Sequence, residues 1–414
     1  MKIVIHRGTH QIGGIATEIS KESTRIIIDM GEELSVDPDF VPEKLQISGV
    51  TDNNGKCDAV LFTHYHGDHI GQMKHVRREI PLYAGPLAKD IMLMSAEHSY
   101  KKDDELCSRI KTVMTFDAGV PFLIGDIKIT PYSIDHSACD SYMFLLESGG
   151  KRILYTGDFR MHGIRGKAIP KILDKLVHKV DVVITEGTTL SRKDSKSETE
   201  HELQQRVKEY MTQYKYVFVL CASTNLDRVF AFARAVARGK YCICDEYQET
   251  LLKQVTKHWS RLSPFYAFPK ICKYKDDLLP GLQKRGFLMF VRANRKFENI
   301  IRKFDPAQSI ILNSMWDGYR TKQGSNIPDF LSLAGTWETL HTSGHASADD
   351  IKMLIEKTNP EVVVPIHTEA PERLKDLCPG RKVVLLHNHA IFKRIGINMF
   401  WVYYNATSRV HNIL

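Results

Sequence analysis

Over the first 190 positions, apolar residues come in short β-branched runs separated by polar turn residues. The runs 25–29, 59–63, 127–132, 142–147, 152–155 and 180–185 predict strands, and the segments 85–101 and 170–178 predict helices between them. Polar side chains gather just past the strand ends, at Asp29, His64, Asp158 and Glu186, where a rigid sheet can hold a site on its loops. The pattern changes at about residue 191. A polar loop over 191–198 precedes a predicted helix (199–214), strand (216–221) and helix (226–238), the alternation of an α/β unit with parallel strands. From about 336 the short-run pattern of the first 190 residues returns as a loop, a helix (348–357), a strand (362–366) and further short strands. The expected organisation is a catalytic domain in two parts, 1–190 and 336–414, interrupted by an insert over 191–335.

Composition places the chain among ordinary globular proteins: 414 residues, 43% apolar and 26% charged, a length that suggests two or three structural units. No apolar run reaches the length of a membrane span. The opening Met1 to Gly8 lacks the pattern of a signal peptide, so a cytoplasmic protein with no membrane partner is expected. Eight cysteines form no Cys-x-x-Cys pair, and Cys242 and Cys244 share one face of a strand-like run, which suits packing and a reducing compartment. Charge is unevenly spread. Residues 191–335 hold 25 Lys and Arg against 15 Asp and Glu, and 20 of the 38 aromatic residues. The densest basic groups are Lys270/Lys273/Lys275, Arg292/Arg295/Lys296 and Arg302/Lys303. A grip on a polyanion with stacking bases and a solvated surface over an aromatic core account for this equally well.

The candidate chemistry lies in Phe62-Thr63-His64-Tyr65-His66-Gly67-Asp68-His69. Three histidines and a carboxylate crowded after an apolar strand have no use in a packed core, whereas imidazole and carboxylate suit zinc. This run resembles the His-x-His-x-Asp-His signature of the metallo-β-lactamase superfamily, and further motifs follow in that family's order. Asp29 resembles the carboxylate that braces the metal loop, His136 the third metal histidine and Asp158 the bridging carboxylate. Glu186, His345 in His341-Thr342-Ser343-Gly344-His345, and His367 in Val364-Pro365-Ile366-His367 resemble the motifs of the β-CASP nucleases, whose cap is inserted where the basic segment falls.

The resemblance implies an α/β fold, an αββα sandwich with an inserted α/β cap. It also implies two divalent metals, zinc with manganese as the alternative. His64, His66, His136 and Asp158 would hold one, and Asp68, His69, Asp158 and His367 the other. His345, oriented by Glu186, would serve as general acid. The motif around His341 and the run Ala222-Ser223-Thr224-Asn225 with Arg228 most resemble ribonuclease J. That implies RNA as substrate and a 5′-phosphate site lined by Ser223, His341 and Ser343. DNA is the nearest alternative, then a small molecule such as a lactone, thioester or cyclic nucleotide, and a homodimer is compatible. Thr368 and the tract Ser137–Asp140 depart from the family pattern. His387 and His389 alternate after an apolar run, as on one face of a strand, and read as structural.

Overall fold

The computed structural model describes residues 1–35, 37, 40–99, 103–192, 197–395, 400–405 and 408–412, with side chains described through residue 393. Residues 193–196 of the expected polar loop and 100–101 of an expected helix lie outside the described residues. No helix among the described residues is long and apolar enough to cross a membrane.

The protein is α/β, with two sheets stacked face to face. One has nine strands and the other seven. Their central parallel strands, such as Val182–Glu186 and Val362–Ile366, are rich in apolar residues because each is buried on both faces. In the strand Thr24–Ile28, Ile26 and Ile28 enter the core between the sheets while Ile27 faces the other way. In Val182–Glu186, Val182 and Ile184 point inward, and Val183 points outward to a helix layer. The outer layer on that side includes the helix Ala348–Thr358, which buries Ile351, Leu354 and Ile355. On the other side, the helix Pro86–His98 buries Leu87, Ala88, Ile91 and Met92. The result is the αββα sandwich.

The distant parts of the chain meet within the sheets. Val362–Ile366 pairs in parallel with Val182–Glu186, and Ala390–Ile395 pairs antiparallel with the amino-terminal strand Lys2–Arg7. Between them stands a third sheet of six strands, 14-13-15-12-16-17 in chain numbering, with every pairing parallel. Helices cover both of its faces. Ten of the insert's aromatic residues are buried in this unit, Phe218, Phe230 and Phe287 among them. Much of the aromatic excess is therefore core.

Two local expectations are corrected. Where a loop was expected from 336, Thr336–Thr339 forms the last strand of the cap sheet, paired from Ile310↔Thr336 to Asn313↔Thr339; its threonines and Trp337 are good strand formers. His387 and His389 lie on no strand, because pairing ends at Lys382–Val383 and the chain turns, with His389 at φ +64°. His387 instead stacks on His10, ring centroids 5.2 Å apart.

Candidate metal centre

The polar residues past the strand ends converge because their strands point the same way. The parallel strands ending at Tyr155, Glu186 and Ile366 deliver Asp158, Glu186 and His367 to one edge of their sheet. The facing sheet brings Asp29 and the loop after Leu61 to the same edge. His64 and His66 lie on that loop, and Asp68 and His69 lie in the short helix Gly67–Ile70 that follows it. Gly31 makes the fit tight, since an added Cβ there would stand 1.7 Å from the Asp68 carbonyl oxygen.

Hydrogen bonds fix which nitrogen each imidazole turns inward. The Thr63 hydroxyl lies 3.0–3.1 Å from both oxygens of Asp29, a carboxylate that only accepts. Its proton is thereby committed, so it accepts from His64 Nδ1 at 3.0 Å. His69 Nδ1 donates to Asp29 at 2.9 Å, and His136 Nδ1 donates to the Gly344 carbonyl at 2.6 Å. His367 Nδ1 meets the Thr188 hydroxyl at 2.8 Å, which itself donates to the His367 carbonyl. Each Nε2 is left facing the interior, the arrangement that orients metal-bound histidines.

The interior suits a cation. His64 Nε2 is buried without a hydrogen-bond partner. His66 Nδ1 stands 3.1 Å from His136 Nε2, close enough to donate to it or to share a cation with it. Burial holds His66 down to about 4 and puts His64 and His136 well below the ordinary histidine value, so protons do not fill these positions at neutral pH. One oxygen, Asp158 Oδ2, lies 3.2 Å from His69 Nε2, 3.7 Å from His367 Nε2 and 3.9 Å from both His64 Nε2 and His136 Nε2. Three overlapping groups result among the described residues, His64/His66/His136, Asp68/His69/Asp158/His367 and His136/Asp158/His345, with donor atoms in each within 4.8 Å of one another. This donor set fits a divalent-metal site.

Beside the clusters, His345 Nδ1 meets Glu186 Oε2 at 3.0 Å and lies 3.6 Å from Asp158. The other Glu186 oxygen accepts from the backbone N–H of Phe159 at 2.7 Å. Burial opposes charge on His345, but Glu186 and Asp158 outweigh it and raise its pKa. The expected phosphate-site residues are only partly brought together. Ser343 Oγ accepts the His345 N–H at 3.1 Å, and His341 Nδ1 lies 3.2 Å from Arg228. Ser223 turns instead to Arg292, which donates to its hydroxyl at 2.9 Å.

Other residues of the site went unread in the sequence. Arg160 is fully buried, bonding Asp135 at 2.7 Å, Glu200 at 2.8 Å and the Ser343 carbonyl at 3.1 Å. Arg228 reaches the same Glu200 at 2.6 Å and the Thr342 carbonyl at 3.0 Å. The available signal was placement: Asp135 precedes His136, and Arg160 stands two residues after Asp158. The departing tract after His136 also has a use, since the Cys139 N–H donates to the Tyr65 hydroxyl, which donates to the Thr224 carbonyl of the cap.

Residues 24–214 match the β-lactamase superfamily domain, and residues 333–378 match the Zn-dependent metallo-hydrolase RNA specificity domain. Together the two matches take in more than half of the chain and every candidate metal ligand. Over both segments the chain is similar to the metallo-β-lactamase superfamily. It is similar to ribonuclease J of Helicobacter pylori, 24% identical over 403 residues covering 89% of this chain and 56% of the relative. It is also similar to ribonuclease J of Mycoplasma genitalium, 21% identical over 89% of this chain and 68% of the relative. The chain thus spans little more than half the length of the Helicobacter relative. A solved structure, a protein of unknown function from Enterococcus faecalis, shares the fold at a TM-score of 0.77 and 19% identity, covering 94% of this chain and 99% of that one.

Proposed function

We propose that this metallo-β-lactamase-fold protein is a dinuclear zinc phosphodiesterase of the ribonuclease J kind, cleaving RNA internally, from the 5′ end, or both. The observation that carries the reading is one carboxylate oxygen, Asp158 Oδ2, which belongs to the Asp68/His69/His367 cluster and lies 3.9 Å from His64 and His136 of the other, with the His345–Glu186 pair beside it. His64, His66, His136 and Asp158 would hold one metal, and Asp68, His69, Asp158 and His367 the other. Bound divalent metals supply Lewis acidity toward water and phosphoryl oxygens. Asp29, Thr63, Thr188 and the Gly344 carbonyl fix the imidazoles so that little reorganises during reaction. Glu186 holds His345 by Nδ1 and favours its charged form, leaving Nε2 to deliver a proton to the leaving oxygen.

The relatives named ribonuclease J and the RNA specificity match over the His345 and His367 segments support RNA over DNA. Zinc is the expected metal, with manganese able to replace it, and a cytoplasmic location suits the eight unpaired cysteines. The insert over 191–335 is proposed as the cap that positions the polynucleotide. Incubating purified protein with 5′-labelled RNA and DNA, each with and without a chelator, tests the reading. Metal-dependent RNA cleavage is expected. Cleavage of DNA alone selects the sister activity, and cleavage of neither, with zinc or manganese restored, overturns the proposal.

A further inference from the structure

Half of the insert's aromatic rings are core, but Trp316 and Tyr319 are 45% and 49% exposed, and Trp337 on the cap's edge strand is 40% exposed. Exposed large aromatic groups cost hydration free energy and cluster where something binds. These three lie together. Trp316 and Tyr319 meet edge to face, centroids 5.5 Å apart, and Arg320, one residue on, lies over the Trp337 ring at 5.6 Å. The Arg320 guanidinium is held by Asp317 through two hydrogen bonds, at 2.7 and 3.0 Å. Gly318 lets the indole fold back: a Cβ there would meet three atoms of its six-membered ring at 2.3–2.6 Å. One side of the ring is thus pressed on the backbone.

The cluster stands at the mouth of the metal centre. Two residues before Trp316, the Ser314 carbonyl contacts His341 Nδ1 at 3.3 Å. Just beyond, Lys322 Nζ donates to the Ser35 carbonyl at 3.1 Å, tying this segment to the loop that follows Asp29. Across the mouth, Leu34, 58% exposed, and Asp68 both crowd the space beside Gly13.

We propose that Trp316 and Tyr319, with the Arg320–Trp337 pair beside them, form a stacking platform for unpaired bases of a single-stranded nucleic acid whose backbone passes the metal centre. This rests on the nuclease reading and deepens it. Every base offers a π-face, so such a platform selects single strands with little regard to sequence. A duplex, with its bases paired and stacked, cannot use it.

The test uses the metal-loaded protein and two short phosphorothioate strands of equal length and charge, one of oligoadenylate and one lacking bases. Affinities are read by fluorescence anisotropy. The wild-type protein should prefer oligoadenylate by about five-fold or more. Trp316→Ala and Tyr319→Ala should each shrink that preference, Trp316→Phe should retain most of it, and Gly318→Ala, which displaces the indole, should reduce it. Metal content and circular dichroism verify folding. Wild-type protein that binds both strands equally, or variants that keep the full preference, would overturn the platform and leave the nuclease reading standing. Wild-type protein that binds neither strand would remove both. A dimer that dissociates on Trp316→Ala, with base preference intact, would make the cluster a contact between copies and overturn the proposal.

Discussion

The imidazoles of the centre owe their direction to what lies behind them, and Asp29 is the most heavily used of these supports. It accepts from the Thr63 N–H at 2.8 Å, from the Thr63 hydroxyl and from His69 Nδ1, at a left-handed φ of +63°. Asn adopts that conformation readily and keeps the shape, so Asp29→Asn removes charge with little strain. Metal affinity should fall by about 10- to 100-fold while the fold persists, measured by competition with a chelator of known affinity. His345→Ala should behave oppositely. It should keep both metals by elemental analysis and lose about 10²–10⁴-fold in turnover of RNA. His66→Ala should lose metal outright. Four of the seven candidate ligands stand out in the sequence because they fall in six consecutive residues, 64–69. The supports Thr188, Gly344 and Arg160 do not, because each acts across more than a hundred residues of sequence, or through a backbone atom that composition does not mark.

Among the elements, the helix Glu200–Gln213 shows how the cap is fastened. Thr199 and Glu202 form a capping box at its start, a signal readable in the sequence. Glu200, in its first turn, is fully buried between Arg160 of the sandwich and Arg228 of the cap. Both arginines also hold carbonyls of the Thr342–Ser343 loop that carries His345. Burial would raise the Glu200 carboxyl, but Arg228 and Arg160 hold it down to about 2. Because the folded value is depressed, its stabilisation is complete above the ordinary value near 4.5 and lost as pH falls from there through about 2. Against the ordinary value this is a contribution of about 3 kcal/mol. Glu200→Gln leaves two buried guanidinium groups undercompensated and should cost about 3–5 kcal/mol at neutral pH. Urea denaturation at pH 7 measures it, and the gap between the two proteins should narrow towards pH 3. A loss under about 1 kcal/mol would mean the network is not a fastening. Helix and strand types were readable from the pattern, since runs such as Val182-Val183-Ile184 are apolar and β-branched. The extra strand at 336–339 was not, because four polar and aromatic residues become a strand only by pairing with Ile310–Asn313.

For the whole molecule, the parallel cap sheet gives its two edges different roles. The loops after its strands carry Ser223, Ser314 and His341, and these stand toward the metal centre: Ser314 and His341 touch Arg228, and Thr224 touches Tyr65 beside His66. Arg292, Arg295 and Lys296 follow the strand Phe287–Val291 and so share that edge. Arg302 and Lys303 lie before the strand Ser309–Asn313, at the opposite edge. Charge patterning could not sort these groups, since both are equally basic in the sequence. The structure also shows that Arg292 is a poor choice for substitution. It bonds Ser223 and Asp245, and Asp245 accepts from Lys296 as well. Reversing charge at all three would set carboxylates around Asp245 and disturb the cap for reasons unrelated to substrate. The cleaner test is Arg295→Gln with Lys296→Gln, both exposed, against Arg302→Gln with Lys303→Gln as control. If the site-facing edge grips a single-stranded backbone, each lost phosphate contact lowers the slope of log affinity against log salt by about 0.7. The first pair should reduce RNA affinity at low salt and flatten the slope by about 1.4, and the control should leave both unchanged. The slope is measured by titrating RNA binding across a salt series. Equal effects from the two pairs would show that the cap attracts RNA only through its net charge, and no effect from either would remove these groups from the binding surface while leaving the metal centre as described.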